Sequence, residues 1–121
     1  MSRRKRGLDI HGVILLDKPV GISSNRALQR VRGIFKARKA GHTGSLDPFA
    51  TGMLPICLGE ASKTAAFMLE ASKKYRATAY FGKATTTGDI EGEVIQECVL
   101  DDLDEKVISQ VLNQFVGEIE Q

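Results

Sequence analysis

The sequence predicts a mixed α+β domain, because helical and strand-like patterns both occur along its 121 residues. An apolar run at residues 12–16 is typical of a strand, and apolar residues three and four positions apart at 27–35 indicate an amphipathic helix. Farther along, residues 73–82 alternate in the manner of a half-buried strand. A single domain is the natural expectation for this length, which suffices to bury a core.

In the first half of the chain, we expect a basic arm at residues 1–11 and then a buried strand at 12–16. Ser23 or Ser24 is a candidate N-cap for the helix that follows. One face of this helix collects apolar residues and leaves three arginines toward solvent or a ligand. The apolar residues are Ala27, Leu28, Val31, Ile34 and Phe35, and the arginines are Arg26, Arg30 and Arg32.

In the second half, a short apolar segment at 53–58 precedes a second helix at roughly 60–70. The alternating strand at 73–82 is expected to pair with a strand at 93–99 across a polar loop at 85–92. A last helix at about 103–116 completes the domain. The second helix should pack through Ala61, Ala65, Phe67 and Met68, and the last through Leu103, Val107, Val111, Leu112 and Phe115.

Charge is strongly segregated along the chain, although the formal net charge is only +2. Residues 1–40 hold eleven lysines and arginines against two aspartates, a net +9, and the remaining residues sum to −7. Such a basic stretch suits a polyanion, because each neutralised phosphate releases counterions. A solvated helix face is an equally good explanation of the charge alone.

The two cysteines, Cys57 and Cys98, lie in apolar surroundings and are expected to be buried thiols without a disulfide. The apolar run behind the arginine-rich start is too short for a signal peptide, and no stretch approaches a membrane span. These features favour a cytoplasmic protein. The histidines and cysteines do not approach zinc-site spacing, and no Gly-Lys-Ser/Thr step indicates a phosphate loop.

A glycine-bracketed loop at residues 41–55 gathers one carboxylate, a lone histidine and several hydroxyls. It reads Gly41-His42-Thr43-Gly44-Ser45-Leu46-Asp47-Pro48-Phe49-Ala50-Thr51-Gly52-Met53-Leu54-Pro55. Its glycines permit close approach of backbone to a ligand, and Pro48 biases Asp47 toward an extended or turn conformation. An aspartate before proline often closes an Asx-turn or caps a helix, and the loop alone favours this structural explanation by roughly two to one.

This loop resembles the catalytic motif of bacterial tRNA pseudouridine synthases of the TruB family, and three further stretches resemble other motifs of that family in the right order. Residues 12–24 resemble its Lys-Pro motif, residues 73–77 its tyrosine motif, and residues 85–92 its threonine, aspartate and glycine pattern. They read Gly-Val-Ile-Leu-Leu-Asp-Lys-Pro-Val-Gly-Ile-Ser-Ser, Lys-Lys-Tyr-Arg-Ala and Thr-Thr-Thr-Gly-Asp-Ile-Glu-Gly. The resemblance covers nearly the whole chain.

The resemblance implies a mainly antiparallel sheet flanked by helices, with residues 12–121 as the N-terminal part of a pseudouridine synthase catalytic domain. It implies isomerisation of uridine to pseudouridine at position 55 in the T-loop of tRNA, without a metal or organic cofactor. Family members are much longer, so we expect this chain to be the front part of a synthase. The family's basic residue opposite the aspartate lies beyond it, and the chain alone is expected to be inactive or nearly so.

By the same resemblance, Asp47 is the essential carboxylate, acting either as nucleophile or as base. Tyr75 corresponds to the tyrosine that packs on the target base, although an ordinary core tyrosine on an alternating strand is the alternative. His42 corresponds to a histidine that stacks where the flipped uridine leaves a gap, although a lone histidine is more often a structural hydrogen-bonding residue.

Other residues are predicted to contact RNA or to shape the site. Lys18 is counted among the RNA-binding residues, although together with Pro19 it is expected to be mostly structural, at the floor of the site. Thr43, Thr51 and Asp89 are expected to be loop hydrogen-bonding residues or RNA contacts. Arg38 and Lys39 belong to the basic stretch and are expected to bind RNA.

Two other functions remain in competition with this one. A non-catalytic RNA-binding or RNA-chaperone module would need only the basic stretch, and Asp47 would then be incidental. The relative that works inside guide-RNA particles is a less favoured identification than the stand-alone bacterial enzyme, because the sequence of residues 48–55 is more similar to that of the stand-alone enzyme. The expected partner is the T-arm of tRNA, with no membrane and no obligate protein partner.

Overall fold

A computed structural model describes residues 6–120 and divides the chain into two units, Met1–Lys74 and Tyr75–Gln121. The first unit contains strands β1 (Gly12–Lys18), β2 (Ala40–His42) and β3 (Gly52–Leu58) and helices α1 (Ser24–Phe35) and α2 (Ala65–Glu70). The second contains strands β4 (Lys83–Thr85) and β5 (Val94–Glu97) and helix α3 (Glu105–Leu112). The predicted α+β class with antiparallel sheets is confirmed.

The sheet of the first unit has the order β1-β3-β2, and both pairs of strands are antiparallel. Strand β1 pairs with β3 along its whole length, from Gly12 opposite Leu58 to Lys18 opposite Gly52. On the other edge of β3, His42 is opposite Ile56. The register therefore places the end of β1, the end of β2 and the start of β3 around the loop that carries Asp47.

Helix α1 covers one face of this sheet. Its N-cap is Ser23, whose hydroxyl accepts a hydrogen bond of 3.1 Å from the Arg26 N–H, which confirms one of the two predicted caps. The hydrophobic core cluster of the unit consists of Ala27, Leu28, Val31, Ala37, Leu54, Ile56 and Leu58. The predicted stripe is wrong at its C-terminal end, because Ile34 and Phe35 are exposed. The stripe is thus longer than the sheet surface that it covers.

Strand β1 is buried on one face only, so the prediction of a buried strand is partly wrong. Val13 and Leu15 are exposed, whereas Ile14 and Leu16 pack against the core. A strand directs successive side chains to opposite faces, and α1 covers only one of them. The apolar run at residues 12–16 therefore forms a strand that is buried on one face and exposed on the other.

The segment predicted as a second helix begins as a 3-10 helix, Gly59–Thr64, and continues as α2. Phe67 is 78% exposed, so its predicted role in packing is wrong, whereas Ala61, Ala65 and Met68 are half-buried. Gly59 begins the segment with a φ of 58°, and a Cβ there would collide with His11 and with the Ile10 carbonyl. The His11 Nδ1 accepts a hydrogen bond of 2.8 Å from the Glu60 N–H beside it.

In the second unit, the strand predicted at 73–82 is wrong. Residues 72–80 have no regular structure, and β4 begins only at Lys83. It pairs antiparallel with β5, which confirms a strand within the predicted 93–99. Alternating apolar and polar residues cannot form a strand by themselves, because the backbone N–H and C=O groups need a neighbouring strand to hydrogen-bond with. None of the strands in residues 6–120 pairs with 73–82.

Helix α3 lies within the predicted range 103–116 and is followed by a 3-10 turn, Asn113–Phe115. Asp104 caps it through a hydrogen bond of 2.8 Å from the Val107 N–H to its carboxylate. The predicted core stripe is wrong, since Leu103, Val107, Val111, Leu112 and Phe115 are all exposed. An amphipathic pattern shows that a face can be buried, but burial also needs a partner surface.

The two cysteines differ in their exposure to solvent. Cys57 is a buried free thiol as predicted, whereas Cys98 is exposed, so its expected burial is wrong. No helix among residues 6–120 is long and apolar enough to cross a membrane.

Candidate active site

The loop between β2 and β3 presents Asp47 at the surface. A tight turn follows it, closed by a hydrogen bond of 2.9 Å from the Ala50 N–H to the Asp47 backbone carbonyl. The Asp47 side chain is exposed and takes part in none of the hydrogen bonds or ion pairs found among residues 6–120. The main chain therefore closes this turn, and the carboxylate is not used as the Asx-turn or helix cap that the structural explanation required.

The loop is fixed on one side of Asp47 by Ser24, the first residue of α1, and on the other by Gly21, in the segment that joins β1 to α1. On one side, the Ser24 hydroxyl accepts a hydrogen bond of 2.8 Å from the Leu46 N–H and donates one of 3.1 Å to the Leu46 carbonyl. On the other side, the Pro48 carbonyl accepts a hydrogen bond of 2.8 Å from the Gly21 N–H. Gly21 has a φ of 91°, a conformation that favours glycine.

Lys18 ends β1 completely buried, and its ammonium lies under the same loop. It donates to the carbonyls of Pro19 at 2.8 Å and Ile22 at 2.9 Å, and to that of Pro48 at 3.4 Å. A buried charge is tolerated when such partners replace its water. This geometry supports the structural role of Lys18 at the floor of the site and argues against the direct RNA contact also predicted for it.

His42 and Thr43 lead from β2 into the loop. The His42 ring is half-buried, and its Nδ1 atom is shielded from solvent without a hydrogen-bond partner among residues 6–120. Thr43 is buried, and its N–H donates to the Pro55 carbonyl at 3.2 Å. Thr43 therefore acts as a loop-packing residue.

Exposed basic side chains lie beside the sheet, just before β2. Arg38 and Lys39 both face solvent, as contact with a polyanion requires. Arg32 is half-buried, and its guanidinium donates to the backbone carbonyls of Ala37 at 3.2 Å and Arg38 at 3.0 Å. It thus holds the turn after α1, whereas the helix pattern predicted an arginine directed toward solvent or a ligand.

Leu8, in the predicted basic arm, is hydrogen-bonded to the segment that follows α1. Leu8 donates to the Lys36 carbonyl at 2.6 Å, and its own carbonyl accepts from the Arg38 N–H at 2.9 Å. A shallow cleft of about 470 Å³ beside it is lined in part by Arg6, Arg32 and Lys36. Residues 1–5 of the predicted arm lie outside the described residues.

Two predicted site residues belong to the second unit. Tyr75 is 70% exposed in irregular chain, which contradicts the alternative of an ordinary core tyrosine. Asp89 accepts hydrogen bonds from the Thr87 hydroxyl at 2.6 Å and the Glu91 N–H at 2.9 Å. These bonds, the one from Thr87 foremost, hold the pKa of the Asp89 carboxyl below its usual value. Asp89 therefore organises its own loop, one of the two roles predicted for it.

In the part of the chain that the structure describes, no three histidine, cysteine or acidic side chains cluster in a way that could hold a metal ion. The candidate site consists of one exposed carboxylate on a fixed loop, a half-buried imidazole where that loop begins, and the buried Lys18 ammonium beneath it.

Comparison with known proteins identifies the family. The family model described as "TruB family pseudouridylate synthase (N terminal domain)" matches residues 32–121. The chain belongs to the TruB family of pseudouridylate synthases. It is 58% identical over 120 residues to "tRNA pseudouridine synthase B" of Nitrosococcus oceani, with 99% of this chain and 39% of that relative covered. The protein of the same name from Chromohalobacter salexigens is 55% identical over 121 residues, with 100% and 39% covered.

A solved structure shares the fold of this TruB chain. It is titled "Structure of H/ACA RNP bound to a substrate RNA containing 2'-deoxyuridine" and matches with a TM-score of 0.63 at 28% identity. The match covers 100% of this chain and 36% of that one. The chain thus spans about two fifths of the length of the curated relatives it matches.

Around the candidate loop, the sequence predicts a role for Asp47 but not for the residues that hold its backbone. Ser24 was considered only as a helix cap, and Leu46 and Gly21 were given no role. Two adjacent serines at a helix start were the available signal. Ser23 occupies the N-cap position in an extended conformation, so the hydroxyl of Ser24, the first residue of α1, is free for another partner.

Proposed function

We propose that this chain forms the N-terminal part of a tRNA pseudouridine synthase that isomerises uridine 55 in the T-loop of tRNA. Membership of the TruB family and the names of relatives at 55–58% identity support a pseudouridine synthase acting on tRNA. The observation that carries the proposal is the Asp47 carboxylate, which is exposed and unused on a loop anchored on both sides. A fixed, unengaged carboxylate is available to a substrate.

The proposed reaction is an isomerisation without a redox change. The bond between ribose C1′ and uracil N1 breaks, the base turns, and a bond between C1′ and C5 forms. The C5 proton is lost and N1 gains a proton, so atoms and electrons balance without a cofactor. Asp47 acts on the ribose as a nucleophile or as the base that starts elimination, and both roles require the ionised carboxylate.

The remaining residues are proposed to act on the RNA. His42 stacks in the gap left by the extruded uridine, and Tyr75 packs on the target base. Arg38 and Lys39 are exposed and bind phosphates of the T-arm. Lys18, Thr43 and Asp89 support loops through the contacts described above. Because tRNA is the proposed substrate, we place the protein in the cytoplasm.

Pseudouridine formation on an unmodified tRNA transcript tests this proposal. We would assay the 121-residue chain and a version extended to the length of its relatives, each with Asp47 intact and as Asp47→Asn. Asp101→Asn is the matched control, because Asp101 is another exposed aspartate, in the second unit. In the extended chain, we expect conversion with Asp47 intact and in the Asp101→Asn control. We expect no conversion in the Asp47→Asn variant. Equal conversion by the Asp47 variant would refute the role of the carboxylate.

A non-catalytic RNA-binding module remains the second candidate, favoured by the exposed basic side chains of Arg38 and Lys39. It predicts that Asp47→Asn leaves every function intact and that no version isomerises uridine. Action within a guide-RNA particle is the weaker variant, because the RNP-bound neighbour is 28% identical and the tRNA synthases are 55–58% identical. Conversion of free tRNA transcript without added guide RNA distinguishes the two.

A further inference from the structure

Ser24 makes an unusual pair of contacts at the start of α1. Its hydroxyl bonds both backbone groups of Leu46, accepting from the N–H at 2.8 Å and donating to the carbonyl at 3.1 Å. The serine is buried, at 4% exposure, and Leu46 lies 22 residues away in sequence. One hydroxyl thereby satisfies the donor and the acceptor of a single residue in a distant loop.

Leu46 directly precedes Asp47, so this contact fixes the backbone from which the carboxylate projects. The Leu46 side chain also packs against the core of the first unit. On the far side of Asp47, Pro48 is held by Gly21. The exposed Asp47 side chain therefore stands on a backbone whose two neighbours are each tied to the connection between β1 and α1.

Formation of α1 does not account for a serine at position 24. Ser23 already caps the helix through the Arg26 N–H, and alanine is the better helix former at the next position. A buried hydroxyl is unfavourable unless it is hydrogen-bonded, and here its partners belong to the loop. The serine therefore matches a need of the loop.

We propose that Ser24 is a positioning residue for Asp47, acting through the backbone of Leu46. The inference rests on the proposed function for its effect on rate, but the clamp itself is a property of the fold. A carboxylate must hold its place to a fraction of an ångström to react, and this clamp removes freedom from its backbone before substrate arrives. Ser24 touches neither substrate nor reacting atoms in this role.

Three substitutions separate positioning from general stability, all made in the chain extended to the length of its relatives. Ser24→Ala removes both bonds, and Ser24→Thr keeps a hydroxyl. Ser23→Ala is the matched control, because it removes a hydrogen bond from the same helix start without touching the loop. Ser24→Cys, close in shape but with a weak S–H donor, carries the test if the alanine variant fails to fold.

The first readout is hydrogen exchange at the Leu46 amide, which needs no enzymatic activity. Loss of its acceptor in Ser24→Ala is expected to speed its exchange at least about tenfold, while amides of β3 stay protected. Ser23→Ala and Ser24→Thr are expected to leave the Leu46 amide close to the parent. This readout stays informative even if the extended chain forms no pseudouridine, which would refute the proposed function alone.

The second readout combines the single-turnover rate with the steady-state KM on tRNA, both measured below the unfolding temperature and normalised to folded protein. We expect Ser24→Ala to lower the rate about 10- to 100-fold with KM changed less than about twofold, because binding surfaces are untouched. Ser24→Thr should recover most of the rate, and Ser23→Ala should stay within about twofold of the parent. Unchanged Leu46 exchange in Ser24→Ala, or equal loss of rate in Ser23→Ala, would overturn the proposal.

Discussion

Replacing Lys18 by methionine tests whether the buried ammonium holds the floor of the site. Methionine keeps most of the apolar stem and removes the charge that bonds the carbonyls of Pro19, Ile22 and Pro48. Because Pro19 and Pro48 are exposed, water can take over at their carbonyls, whereas Ile22 is half-buried. The variant therefore loses one hydrogen bond to a charged group outright, and parts of two others.

The expected loss of stability is calculated from the hydrogen bond between the Lys18 ammonium and the Ile22 carbonyl, at 2.9 Å. A hydrogen bond to a charged group contributes about 1.5–3 kcal/mol, so we expect the free energy of unfolding to fall by about 2 kcal/mol. For a domain of this size that lowers the melting temperature by roughly 8–16 °C. The urea midpoint should fall by about 1 M, since the m-value of small domains is near 2 kcal/mol/M.

Urea unfolding followed by circular dichroism measures this change. Lys74→Met is the matched control, because Lys74 is exposed, and its free energy of unfolding should change by less than about 0.5 kcal/mol. If Lys18→Met unfolds within about 0.5 kcal/mol of the parent, the ammonium contributes nothing net. The burial argument would then be wrong.

Three further predictions concern the backbone, the thiols and RNA binding. Gly59→Ala should lower the free energy of unfolding, measured by urea titration, by about 2–3 kcal/mol. The left-handed φ strains the alanine, and its Cβ would displace His11 and break the hydrogen bond from the Glu60 N–H to His11. Cys98 should react with a thiol reagent at once, and Cys57 only after unfolding, because the first is exposed and the second buried. Replacing Arg38 and Lys39 together by alanine should reduce the slope of log affinity for tRNA against log salt by about two.

Each of these predictions has a control or a contrary outcome. Gly33→Ala, at a helix position where a Cβ meets nothing within 4 Å, should stabilise the protein by about 0.5–1 kcal/mol. If both glycine variants shift stability in the same direction, the steric argument fails. Simultaneous reaction of the two thiols would contradict the burial of one of them. A salt slope unchanged in the double variant would mean that neither cation contacts a phosphate.

Sequence patterns predicted elements well where one segment can meet its partner within the first unit. The helix at 27–35, its serine cap and the strand at 12–16 follow from local periodicity and hydrogen bonding, and all three are present. The strand at 73–82 and the stripe of the last helix were wrong, although their patterns are equally regular. Local pattern states what a segment can bury, and a partner surface decides whether it does.

The amino-acid sequence by itself determined the family, the α+β class and the position of Asp47 within a glycine-bracketed loop, because these reside in residue order and local backbone preferences. Only the tertiary structure decided that the carboxylate is left unengaged while Ser24, Gly21 and Lys18 hold the loop around it. Those contacts join segments more than twenty residues apart, and they come into being when the sheet register brings the ends of β1, β2 and β3 together.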